Sequence, residues 1–78
     1  MDSLSINAQI GANVKSAREN ANLSVDVLAA KIGSSTDQVA RIEAGTHRAS
    51  AEMLWQMARE MKVSASIFFT GFDQNTKS

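Results

Sequence analysis

Residues 23–45 read LSVDVLAAKIGSSTDQVARIEAG, and the reading of this stretch decides the fold. Ser24 stands where its side chain can accept from the free N–H groups at the start of a helix. Leu28, Ala29 and Ile32 then fall on one face of that helix, and Gly33 can take the left-handed conformation that ends it. Two residues on, Ser35 begins the pattern again. With Gln38 three positions later it forms an S-x-x-Q reciprocal cap, and Val39 and Ile42 supply an apolar stripe before Gly45 closes the second helix. Two capped helices of about eight to ten residues, joined by Gly-Ser and bearing apolar faces that can meet, make a helix-turn-helix.

The second helix of such a unit commonly enters the major groove of DNA. With Val39 and Ile42 turned inward, helical spacing turns Thr36, Asp37, Ala40 and Arg41 outward and leaves Gln38 at the flank. The chemistry of these side chains suits base reading. Arg41 can give bidentate bonds to guanine O6 and N7, Gln38 suits adenine, and Thr36 can pack on a thymine methyl. Asp37 fits less simply, because a carboxylate among phosphates is repelled. It either accepts from cytosine N4 or sits in the first turn as a favourable partner of the helix dipole, and the structural role is preferred.

Outward from this core, Met1 to Ser5 is short and polar, with Ser3 or Ser5 able to cap a helix beginning just after it. A first helix is expected from about Ile6 to Ala21, with Ile6, Ile10, Val14 and Ala17 forming its buried stripe and Asn13, Lys15, Ser16, Arg18 and Glu19 on its other side. Asn20 and Asn22 favour a turn into the central motif. Exposed Val25 and Val27 on the second helix can form a protein-contact patch. Beyond Gly45, Ser50 caps a fourth helix with Leu54, Met57, Ala58 and Met61 facing inward, Trp55 beside that face, and Arg59, Glu60 and Lys62 as solvated surface. A short fifth helix, Ala65 to Thr70, holds Ile67, Phe68 and Phe69 and is followed by Gly71 and Phe72. Ile67 and Phe68 can fill the core. A helix this short cannot point every aromatic inward, so Phe69 or Phe72 either caps the core of a small monomer or, with Trp55, forms a two-fold dimer patch.

The residues also carry a resemblance. Leu23-Ser24, Leu28-Ala29, Lys31-Ile32-Gly33, Ser35, Val39, Arg41-Ile42-Glu43 and Gly45 resemble the Cro/cI-type (XRE) helix-turn-helix family of bacterial and phage regulators. Arg48, Ser50-Ala51, Leu54-Trp55, Ala58, Val63, Phe68-Phe69 and Gly71-Phe72 extend the likeness toward short members from alphaproteobacteria, so that it spans roughly Ile10 to Phe72. The resemblance implies a lambda-repressor-like DNA-binding domain. It implies that Ser35, Thr36 and Asp37 approach bases and phosphate, and that the loop with His47 and Arg48 crosses the DNA backbone. It further suggests that Arg18 folds over the motif to pair with Glu43, where the bland alternative is a solvated charge at a helix end. Three positions depart from the family pattern, one of them Val27, where the family usually has a polar residue. Val25 stands where the family usually has Gln against the DNA backbone, which leaves that anchor to Ser24 and the helix N–H groups. Ala49 replaces a common Pro.

Composition narrows the field further. The chain has 78 residues, no Cys, and eight Lys and Arg against eight Asp and Glu. Such a length makes one domain with a limited core. The expectation is a single domain over 1–78, ordered about 5–72 with flexible polar tails, that is the entire protein and leaves no room for a ligand-sensing domain. Neutral charge argues against a non-specific DNA coat protein but not against a specific dimer, whose few phosphate contacts are doubled. No membrane span, signal segment, paired acids, nucleophile-base spacing, metal-ligand cluster or phosphate-cradling Gly loop stands out. His47 is the single histidine. The sequence therefore predicts an all-α, compact five-helix bundle that is not an enzyme and needs no cofactor, metal or small-molecule effector. It is expected to be a cytoplasmic regulator, more a repressor than an activator, binding double-stranded DNA as a homodimer. Base contacts come from Thr36, Asp37, Gln38 and Arg41, and phosphate contacts from Ser24, Ser35, His47 and Arg48. The rival is a protein-interaction module on the same fold, an antitoxin-like protein or a co-regulator, motivated by Val25, Val27, Asp37 and the neutral charge.

Overall fold

Gly33 and Gly45 stand in the left-handed region, at φ 73° and 83°, and each turns its N–H back onto carbonyls of the helix it ends. At the opposite ends Ser24 accepts from the Val27 N–H and Ser35 from the Gln38 N–H, both at 3.1 Å. These local devices bound α2, Val25–Ile32, and α3, Thr36–Ala44. The computed structural model describes residues 3–71, which place α1, Ser3–Asn20, before the pair and α4, Ala51–Met61, after it. A 3-10 helix, Ala65–Phe69, closes the described residues. Met1, Asp2, Phe72 and the tail Asp73 to Ser78 lie outside them.

The architecture is all-α, with four α-helices among the described residues; the expected fifth helix is the 3-10 segment. Three residues per turn set Ile67, Phe68 and Phe69 on different sides of that segment. Only Phe68 is therefore fully buried, and Ile67, expected in the core, is exposed. α1 starts three residues earlier than expected and includes Ser5, since nothing in Ser3 to Ser5 blocks a helix and each added residue contributes a backbone hydrogen bond. Ile6, expected in the buried stripe, is exposed. The end of α3 meets α1 at Ala8, so Ile6 lies past the region its neighbours cover.

The core gathers Val14 and Ala17 of α1, Leu28 and Ala29 of α2, Val39 and Ile42 of α3, and Leu54, Met57, Ala58 and Met61 of α4 around Phe68. α1 packs on α3 and the closing turn, while α2 packs on α3 and α4. Two glycines let the α1 and α3 backbones come close. A Cβ on Gly11 would lie 2.1 Å from the Ile42 carbonyl oxygen, and one on Gly45 would lie 2.7 Å from the Ala8 Cα. Asn13, expected on the surface of α1, is instead half-buried. Its Nδ2 donates to the carbonyl oxygens of Phe68 and Thr70, each at 2.8 Å, and Gln9 Nε2 donates to Thr70 at 3.3 Å. These bonds satisfy carbonyls that a single 3-10 turn leaves free, and they strap that turn to α1. No helix among the described residues is long and apolar enough to cross a membrane.

Candidate nucleic-acid interface

Arg18, in the last turn of α1, fixes the far end of α3. Its Nε donates to Glu43 Oε2 at 2.7 Å, its Nη2 to Oε1 at 3.1 Å, and its Nη1 to the Leu23 carbonyl oxygen at 2.8 Å. The two side chains are 11% and 7% exposed. Hydrogen bonding to Glu43, the largest influence, raises the guanidinium pKa above its ordinary value; burial opposes this and the charges of Glu43 and Glu19 add to it. A charge-assisted, two-pronged pair of this kind has directional as well as electrostatic value. It ties the end of α1, the loop before α2 and the last turn of α3 into one unit. α3 is thereby held in a set orientation to α2.

The face of α3 away from Val39 and Ile42 is open. Thr36, Asp37, Ala40 and Arg41 are all exposed there. Arg41 Nε donates to Asp37 Oδ2 at 2.9 Å one turn back, with side chains 63% and 73% exposed. The Thr36 hydroxyl donates to Asp26 Oδ1 of α2 at 2.9 Å. Gln38 is half-buried and does not complete the reciprocal cap: Ser35 accepts from its N–H, but its Nε2 lies 3.5 Å from His47 Nε2 and 4.0 Å from Met53 Sδ. The amide is drawn to the flank, between the loop after α3 and α4.

Around this face stand the other expected contact residues. Ser24 and Ser35 cap α2 and α3 with their oxygens, and a hydroxyl that accepts from backbone still has its own proton to donate. His47 and Arg48 are exposed on the loop between α3 and α4 and border, with Ile10, Ala49, Ala51 and Phe69, a cavity of about 210 Å³. Val25, expected to be exposed, is half-buried against the core, whereas Val27 is exposed. The first turn of α2 lies close enough to the core to cover one valine and not the other. Of the expected dimer residues, Trp55 is 56% exposed with Arg59 Cζ 4.9 Å above its ring, Phe69 is 47% exposed, and Phe72 lies outside the described residues. No group of three His, Asp or Glu able to hold a metal occurs among the described residues.

Sequence reasoning leaves three contacts unread. The Asp37–Arg41 pair has a local signal, since side chains four apart on a helix are neighbours. Thr36 with Asp26 and Gln38 with His47 join separate elements, and no spacing rule announces them.

Comparison with known proteins bears on this arrangement. Residues 14–68 match the helix-turn-helix (HTH_3) family. An HTH-type transcriptional regulator of Mycobacterium tuberculosis is 34% identical over 59 residues, covering 76% of this chain and 42% of the relative. An HTH-type transcriptional regulator of Sinorhizobium fredii is 34% identical over 64 residues, covering 82% of this chain and 45% of the relative. The crystal structure of an HTH_3 family transcriptional regulator from Vibrio cholerae superposes with a TM-score of 0.82 at 28% identity, over 95% of this chain and 42% of that one. The chain spans less than half the length of these three proteins.

Proposed function

The chain belongs to the helix-turn-helix family of XRE type, and from that premise we propose that it is a transcriptional regulator, a repressor acting as a homodimer on palindromic double-stranded DNA. The observation that supports this most is the open face of α3. Thr36, Asp37, Ala40 and Arg41 stand exposed on a helix held at both ends, by Ser35 and by the Arg18–Glu43 pair. Each subunit would insert α3 into one of two successive major grooves about 34 Å apart and block polymerase by occupancy. Ser24, Ser35, His47, Arg48 and the first-turn N–H groups of α2 and α3 would meet phosphate and set register. Arg41, Thr36 and, from the flank, Gln38 would read bases. Trp55, Phe69 and Phe72 would make the dimer contact.

The test is selection of bound sequences from a random duplex library, at two salt concentrations, with wild type and Arg41→Ala. The expected result is a two-fold symmetric site whose preference relaxes at one position per half-site in Arg41→Ala. Affinity should fall with salt at a log-log slope of about −0.9 per phosphate contact. No enrichment would move the reading to a protein-interaction module on the same fold.

A further inference from the structure

The Asp37–Arg41 pair is the feature of the open face that base reading alone leaves unused. We infer that Asp37 is a positioning residue that sets Arg41 to read guanine and keeps it off the phosphate backbone, an inference that rests on the DNA-binding reading above. An arginine presents two usable edges, one through Nε and one Nη, the other through both Nη ends. Asp37 Oδ2 takes the Nε–H at 2.9 Å, which occupies the first edge and fixes the plane of the guanidinium. The edge left free is the end-on fork, the geometry that bonds guanine O6 and N7 together. Both residues are exposed on the same face, so the pair stands open to a base edge laid against α3.

The carboxylate has a second effect, of opposite sign. An unpaired Arg41 could swing to any nearby phosphate, which would raise affinity for every sequence alike. Asp37 moves with that guanidinium as a negative charge and is repelled by phosphate. Thr36 adds to the arrangement: its hydroxyl is taken by Asp26, so it does not compete for Asp37, and Asp37 is left to Arg41. The pair therefore trades general affinity for discrimination. A carboxylate that served only the dipole of α3 would alter stability and leave base preference unchanged.

The experiment measures binding of wild type, Asp37→Ala, Asp37→Asn, Arg41→Ala and Asp37→Ala/Arg41→Ala to the selected site, to that site with each base at the Arg41 position, and to unrelated duplex. Urea midpoints of the same proteins serve as the folding control. Asp37→Ala and Asp37→Asn should lower the guanine preference at that one position by roughly two- to tenfold. They should tighten binding to unrelated duplex by about two- to threefold and steepen its salt slope by about one, the mark of an added phosphate contact. In the Arg41→Ala background, Asp37→Ala should leave base preference where Arg41→Ala alone put it. Relaxation at a different position, or an unchanged preference with an altered urea midpoint only, overturns the positioning role while leaving DNA reading intact. Failure of the wild type to select any site removes both together.

Discussion

Replacing Arg18 by Met leaves the Glu43 carboxylate, 7% exposed, without its guanidinium and strands the Leu23 carbonyl oxygen. Breaking a buried pair from one side costs about 3 to 5 kcal/mol, because the remaining charge stays desolvated. A small domain has only about 5 to 15 kcal/mol in all. Arg18→Met should therefore unfold at a much lower urea midpoint than wild type, and the double variant Arg18→Met/Glu43→Met should recover part of the loss. A midpoint that does not move would show that the pair adds nothing to stability. The arginine remains charged at every pH where the domain folds, so this contribution brings no titration from the arginine side. At this scale the sequence is uneven. Arg18 and Glu43 lie 25 positions apart, and only the family resemblance joins them; composition and periodicity are silent over such a distance. Arg41 and Asp37 lie four apart, within reach of a local rule, yet a reading of Asp37 against the helix dipole and cytosine passes over its neighbour.

At the scale of elements, the ends of helices are legible and their mutual register is not. Ser24, Ser35, Ser50, Gly33 and Gly45 act on backbone groups within a few residues, so their effect can be read from the chain alone. Asn13, Ile6 and Ile67 escape such a reading because their environments depend on where one element stops covering another. Gly11 shows the difference most sharply. In an isolated helix, replacing a central Gly by Ala would add about 0.5 to 1 kcal/mol of stability. In this fold the new methyl would meet the Ile42 carbonyl oxygen at 2.1 Å and that of Glu43 at 2.8 Å, and backbone cannot rotate away as a side chain can. Gly11→Ala is expected to lose about 1 to 3 kcal/mol or more on balance. Urea denaturation followed by far-ultraviolet circular dichroism checks the sign; a gain in stability would mean that α1 and α3 separate more easily than their backbone approach implies.

For the whole molecule, the expected order of elements agrees with the described fold because each element carries its own apolar stripe or caps, which act over a few residues. The assembly is the part a single chain does not spell out, since a partner surface has no periodicity of its own. Phe69, 47% exposed beside the cavity between α1 and α4, tests it. Phe69→Glu should give a folded monomer with wild-type helix content, a halved mass in sedimentation, and binding to the palindromic site weakened by at least about tenfold through loss of the second half-site. Unfolding of this variant would show that Phe69 supports the core; a mass equal to that of a dimeric wild type would place the contact elsewhere, and a wild type that is itself monomeric would overturn the proposed dimer. Trp55, the other described residue expected at the dimer contact, has an optical consequence. It is the chain's single tryptophan, and it sits 56% exposed beneath Arg59 in the folded protein. Its indole faces water before unfolding as well as after, so the colour of its emission is a poor thermometer of the fold. The same emission shifts toward the blue when anything dry is laid over that face, which makes the native chain its own dye for association.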